Sequence, residues 1–171
     1  MIGKGKSISH GVAALGYDLA KEINGQAVAT EIARHELYGC TGAEMVQEMK
    51  PYHIDFPNVK NNCLRFEVSP SIEESATFTD ADWAELGNDF MQRMGLANHQ
   101  YIIIRHSGTE SKKEQAHLHI LANRVSLSGE LYRDNWIGKK ATEAANAIAK
   151  ERNFVQSQDI GKVNKAEIKR R

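Results

Sequence analysis

The chain has 171 residues, 41% of them apolar and 26% charged, a balance that fits one globular domain with a sizeable core and excludes a fibre or a disordered chain. No window approaches the roughly 18 consecutive apolar residues of a membrane helix, and the opening Met1-Ile2-Gly3-Lys4-Gly5-Lys6 lacks the apolar run of a secretory signal, so a cytoplasmic protein with no membrane partner is expected. The 22 basic and 22 acidic residues cancel but segregate: residues 43–95 are net −6 and residues 139–171 net +5, which permits a phosphate partner, although a basic run is more often a solvated helix face.

In chain order, Val12, Leu15, Leu19 and Ile23 recur at spacings of three and four, which predicts an amphipathic helix from Gly11 that Asn24-Gly25 stops. A strand is expected from Ala27 to Ala33, a short helix from Gly42 to Met49 and a strand from Cys63 to Ser69. Thr79-Asp80-Ala81-Asp82 is a helix N-cap signal, and Trp83, Leu86, Phe90 and Met94 then fall on one face before Gly95. Strands follow at Tyr101 to His106 and Ala116 to Val125. An alanine-rich helix from about Lys139 to Arg152 turns Ala141, Ala144, Ala145, Ile148 and Ala149 inward.

The last two strands, joined by the polar stretch Ser107 to Gln115, read as an antiparallel hairpin. The expected fold is α+β, a mainly antiparallel central sheet of about five strands flanked by helices. Residues 1–155 are expected to form the domain and 156–171 a basic C-terminal segment, the start of a truncated region. Cys40 and Cys63 have no cysteine neighbour with which to form a CxxC pair and are expected to be buried thiols.

The chemistry concentrates in Ala116-His117-Leu118-His119-Ile120-Leu121. A strand's period of two sends His117 and His119 to one face and Leu118 and Ile120 to the other. Two such histidines alone more often bind nothing. His106, ending the neighbouring strand, is brought beside them by the hairpin pairing, and three neutral nitrogen donors then leave open positions on a divalent ion. Nitrogen ligands alone also suit Zn²⁺, Co²⁺ or Ni²⁺.

Arg105-His106-Ser107, His117-Leu118-His119-Ile120-Leu121 and the following Asn123-Arg124-Val125 resemble the third motif of conjugative relaxases. These are mobilization nucleases of the histidine-hydrophobic-histidine endonuclease superfamily. The opening Met1 to His10 and Trp136-Ile137-Gly138-Lys139-Lys140 are similar to the relaxases of Bacteroides-type elements, so the resemblance spans nearly the whole chain. It implies a site- and strand-specific nuclease that nicks single-stranded DNA at an origin of transfer. In that chemistry a tyrosine forms a covalent 5′-phosphotyrosine with the help of a divalent ion, Mg²⁺ or Mn²⁺. It also implies accessory mobilization and secretion-coupling proteins as partners. Relaxases often carry an aspartate two residues after the first histidine; here Gly108 stands there, leaving Glu110 as a substitute for any orienting role.

In relaxases of this type the nucleophile lies near the N-terminus, which selects Tyr17 among five tyrosines, with Tyr38 next. Tyr17 also projects away from the expected apolar stripe. Glu67 shares a strand face with Arg65 and is a candidate to orient a histidine or accept the tyrosine proton; a solvated or paired glutamate is the alternative. Lys4, Lys6 and His10 are candidate DNA contacts, against a flexible N-terminus. Asn123 and Arg124 either support the site, touch DNA, or form an ordinary strand-end polar pair. A rolling-circle replication initiator, a water-activating hydrolase and a non-enzymatic metal or nucleic-acid binding module are the competing readings.

Overall fold

The computed structural model describes residues 1–108 and 115–171. Strand β1 (Ile2–Ile8) leads into helix α1 (Gly11–Leu19), the small hairpin β2 (Glu22–Ile23) and β3 (Gln26–Ala27), and strand β4 (Ala29–His35). Helix α2 (Gly42–Met49), strand β5 (Cys63–Ser69), the one-turn α3 (Ile72–Ser75) and α4 (Asp80–Arg93) follow. The chain closes with β6 (Tyr101–His106), β7 (His117–Asn123), α5 (Ile137–Glu151) and α6 (Ile160–Arg170). Five strands form one antiparallel sheet in the order β1-β5-β7-β6-β4, the α+β architecture expected. Among the described residues no helix is long and apolar enough to cross a membrane.

Two cores flank the sheet. On one face Leu64, Phe66, Val68, Ile103, Leu118 and Ile120 meet Trp83, Leu86 and Phe90 of α4 and Ala141, Ala145 and Ile148 of α5. On the other, Cys63, Ile102, Ile104 and Leu121 meet Leu15 of α1 and Met45 and Met49 of α2. Helix α4 begins at a capping box in which the Thr79 hydroxyl accepts from the Asp82 amide and the Asp82 carboxylate accepts from the Thr79 amide.

The sequence pattern misleads at four places. The first helix ends at Leu19, not beyond Ile23: Asn24 and Gly25, at φ 52° and 74°, are the central pair of a two-residue hairpin turn that puts Ile23 in β2. The face of α1 that packs is Gly11, Ala14, Leu15 and Asp18, and Val12 is exposed. Small residues make that contact, since a side chain at Gly11 would meet the Cys63 sulfur at 2.7 Å. The N-terminus is a sheet strand. Its glycines hide it from an apolar pattern, yet a Cβ at Gly3 would lie 2.3 Å from the Ala141 carbonyl oxygen, so helix α5 sits directly on the β1 backbone. Cys63 is buried as expected but Cys40 is exposed, on the turn before α2 where its amide donates to Glu44.

Candidate metal centre

His106 and His117 are directly opposite each other across the β6–β7 ladder, and His119 lies two residues along the same face. One potential ligand atom from each ring lies within 4.8 Å of the others, the one such cluster of His, Cys, Asp and Glu groups among the described residues. The ring centroids are 4.4 Å apart for His106 and His119, 5.0 Å for His117 and His119, and 5.4 Å for His106 and His117. Nitrogen ligands at about 2.1 Å from one ion lie roughly 3 to 3.5 Å apart, so small side-chain rotations close the set.

The hydrogen bonds fix which nitrogens face inward. His106 Nε2 lies 2.7 Å from the Asp18 carbonyl oxygen, which can only accept, so Nε2 carries the proton and Nδ1 keeps its lone pair. That Nδ1 is buried and has no hydrogen-bond partner among the described residues. An orphaned buried acceptor costs about 1–3 kcal/mol and calls for an occupant. His117 Nδ1 likewise donates to the Gln115 carbonyl oxygen at 3.0 Å. Backbone carbonyls of Asp18 and Gln115 thus orient two of the imidazoles, the work an acid two residues after His106 was expected to do; Glu110 lies outside the described residues. The donor set fits a divalent cation.

Electrostatics hold His119 neutral. Burial first, then the neighbouring His106 and His117, push the His119 pKa down to about 3. The unfolded chain takes up this proton near the ordinary pKa of 6.5, the folded chain only near 3. Metal-free stability from this group is therefore complete above about pH 6.5 and falls as pH drops toward 3. Urea midpoints of metal-free protein should fall between pH 7.5 and pH 5, and less steeply in His119→Gln. Equal declines in the two proteins would contradict this.

The other candidate residues divide into those the fold gathers and those it does not. Glu67 faces His119 across the β5–β7 ladder, and Lys4 faces Glu67 across β1–β5. Lys4, Lys6, Arg65, Glu67 and His119 line one open pocket of about 230 Å³, so both lysines and the glutamate adjoin the triad. Tyr17 is 57% exposed; Lys21 Nζ donates to its hydroxyl and sits 4.8 Å from the ring centre. Tyr17 precedes Asp18 in the chain, and the Asp18 carbonyl holds His106. Tyr38 is also exposed, but its hydroxyl donates to Glu36, and that carboxylate raises its pKa.

Asn123, Arg124 and His10 lie apart. Asn123 is on the triad's face of β7 as expected but fully buried, donating to Met49 and Gln100 and accepting at 2.7 Å from His53 Nε2. Arg124 donates to the Tyr132 and Asn61 carbonyls and pairs with Asp134 at 2.9 Å. Both side chains are spent inside the protein, which suits support of the strand end better than DNA contact. His10 is exposed and lines a separate groove of about 430 Å³ with Lys50 and His53.

Sequence reasoning missed Asp18 and Arg65. Asp18 is buried on α1, and Arg65 donates to both of its carboxylate oxygens, joining the helix that carries Tyr17 to the sheet beside His119. Burial pushes the Asp18 carboxyl pKa up, against the pull of Arg65. An acid on the inward stripe of α1 was the available signal. Asp18→Ala should cost about 2–4 kcal/mol in a urea titration, because it strands a half-buried guanidinium. A loss under about 1 kcal/mol would show that the pair does not clamp the helix.

The family model for "Relaxase: MobA/VirD2-like, nuclease domain" matches residues 17–154. This chain belongs to that relaxase family. The matched span holds Tyr17, Glu67 and the cluster of His106, His117 and His119. No curated protein and no solved structure matches this chain.

Proposed function

We infer that this relaxase domain nicks one strand of DNA at an origin of transfer by transesterification. Tyr17 is the nucleophile, and a divalent cation, Mg²⁺ or Mn²⁺, is held by His106, His117 and His119. The observation that carries the reading is the buried His106 Nδ1, without a hydrogen-bond partner among the described residues, on a ring clustered with two further imidazoles in a chain of the relaxase family.

The Tyr17 oxygen attacks the scissile phosphorus, the bond from phosphorus to the 3′ oxygen breaks, and the products are a 5′-phosphotyrosine and a free 3′-hydroxyl. The hydroxyl proton passes to a base, for which Glu67, opposite His119 across the β5–β7 ladder, is the candidate, and the departing 3′ oxygen gains a proton. When bound, the cation neutralises a non-bridging phosphate oxygen and steadies the charge of the transition state. Lys21, beside the Tyr17 hydroxyl, offers positive charge to the forming phenolate. Lys4 and Lys6, lining the pocket with His119, supply positive charge for the flanking phosphates. Because the linkage is a phosphodiester, the energy of the broken bond is kept for religation. The reading assigns the nuclease unit to residues 1–155, with the basic residues 156–171 following it. It places the reaction in the cytoplasm, alongside accessory mobilization and secretion-coupling proteins.

The test incubates the protein with labelled single-stranded origin DNA and Mn²⁺ or EDTA, then runs a denaturing gel. A covalent protein–DNA band with Mn²⁺ and none with EDTA is expected. Cleavage without an adduct would point to a water-activating hydrolase, and metal-dependent melting without cleavage to a binding module.

A further inference from the structure

The turn into α5 presents Trp136 to solvent at 79% exposure, whereas the chain's other tryptophan, Trp83, is 2% exposed in the core. Trp136 sits at φ 58°, ψ 28°, a left-handed conformation that costs a large side chain about 1–3 kcal/mol. The backbone needs that turn, since Ile137 enters the core immediately afterwards. The side chain does not: glycine or asparagine would take the same conformation at lower cost, and among the described residues the indole belongs to neither core. Residue identity here therefore calls for a reason outside folding.

The surroundings of the indole are cationic. It shares an open pocket of about 300 Å³ with Lys139, Lys140 and Glu143, and Arg133 just before it is exposed. Asp134 is held between Arg124 and the Ser7 hydroxyl, and Glu143 lies 3.8 Å from Lys139. The turn is tied to the sheet's edge strand: Ser7 of β1 donates to Asp134, and a Cβ at Gly138 would lie 3.6 Å from the Gly5 carbonyl oxygen. Gly5 stands between Lys4 and Lys6, which line the pocket at His119. Lysines thus line both pockets that this edge strand adjoins, Lys4 and Lys6 beside His119 and Lys139 and Lys140 beside Trp136.

We propose that Trp136 is a stacking platform for an unpaired base of the single-stranded DNA that flanks the nick, with Lys139 and Lys4/Lys6 tracking the phosphates between. A flat exposed indole among cations is the chemistry that grips single strands without reading sequence, and duplex bases offer it no face. The inference rests on the nuclease reading, which identifies the strand in the pocket.

The experiment titrates the full chain with labelled oligothymidylate in EDTA, where no nicking is expected, and follows both anisotropy and tryptophan fluorescence. Binding should quench the emission of Trp136, and a duplex of equal length should not. Trp136→Ala should weaken binding by about tenfold or more, and Trp136→Phe should recover most of it. Binding without quenching, or Trp136→Ala binding within about twofold of wild type, overturns the inference. Nicking is scored separately with Mn²⁺. Trp136-dependent binding without any adduct counts against the nuclease reading alone. An adduct combined with binding indifferent to Trp136 counts against the platform alone. Failure of any single strand to bind overturns both.

Discussion

Tyr17→Phe is expected to abolish the covalent DNA adduct and slow nicking by about four orders of magnitude or more, with fold and cation binding intact. The ring is 57% exposed on the last turns of α1, and the substitution removes only the hydroxyl that Lys21 contacts. Its cost in stability should therefore stay within about 0.5 kcal/mol, so a lost adduct reports chemistry rather than unfolding. Tyr38→Phe is the matched control and should nick at close to the wild-type rate. Its hydroxyl leans on Glu36, a charge that opposes phenolate formation. An adduct that persists in Tyr17→Phe and vanishes in Tyr38→Phe would move the nucleophile to the loop before α2. Persistence in both would remove tyrosine chemistry at either position.

His106→Ala is expected to weaken Mn²⁺ binding by more than about 100-fold, with a parallel loss of nicking, since substitution even of groups that only orient a ligand costs 10- to 100-fold. His106 is 1% exposed, and its removal also leaves the Asp18 carbonyl without a donor, so part of the loss could come from a shifted α1. His119→Ala separates the effects. His119 is the least buried of the three and should lose the cation while keeping the Asp18 contact. Calorimetric titration with Mn²⁺, with circular dichroism as the check on fold, measures both variants. The double variant Tyr17→Phe/His106→Ala should nick no worse than the more damaged single one, because the two groups act on one step. Unchanged Mn²⁺ affinity in both histidine variants would remove the triad from the metal reading.

Period and spacing carried the triad because it depends on local geometry. Alternation along β7 puts His117 and His119 on one side, and the hairpin register alone brings His106 opposite. The same alternation placed Arg65 and Glu67 together on β5. What stayed illegible depends on distant partners. Arg65 is claimed by Asp18, 47 positions away, and the carbonyl that orients His106 is 88 positions from it. Nothing in the pattern of Met1 to Ile8 signals a strand, because its inward residues are glycines cut to fit α5. The helix through Val12 and Ile23 was overextended for a related reason: apolar spacing continued past Leu19, but Asn24-Gly25 is better satisfied as a hairpin turn than as a helix stop. Asn123 has the expected orientation on β7, yet its amide is consumed by His53, Met49 and Gln100, which only the packed structure reveals.

Electron paramagnetic resonance of the protein titrated with Mn²⁺ tests the central claim most directly. It should show one tightly bound ion per chain with couplings to imidazole nitrogens, and His106→Ala should lose them. Tight Mn²⁺ binding without nitrogen coupling, or nicking that proceeds with no bound ion, would contradict a cation held by His106, His117 and His119.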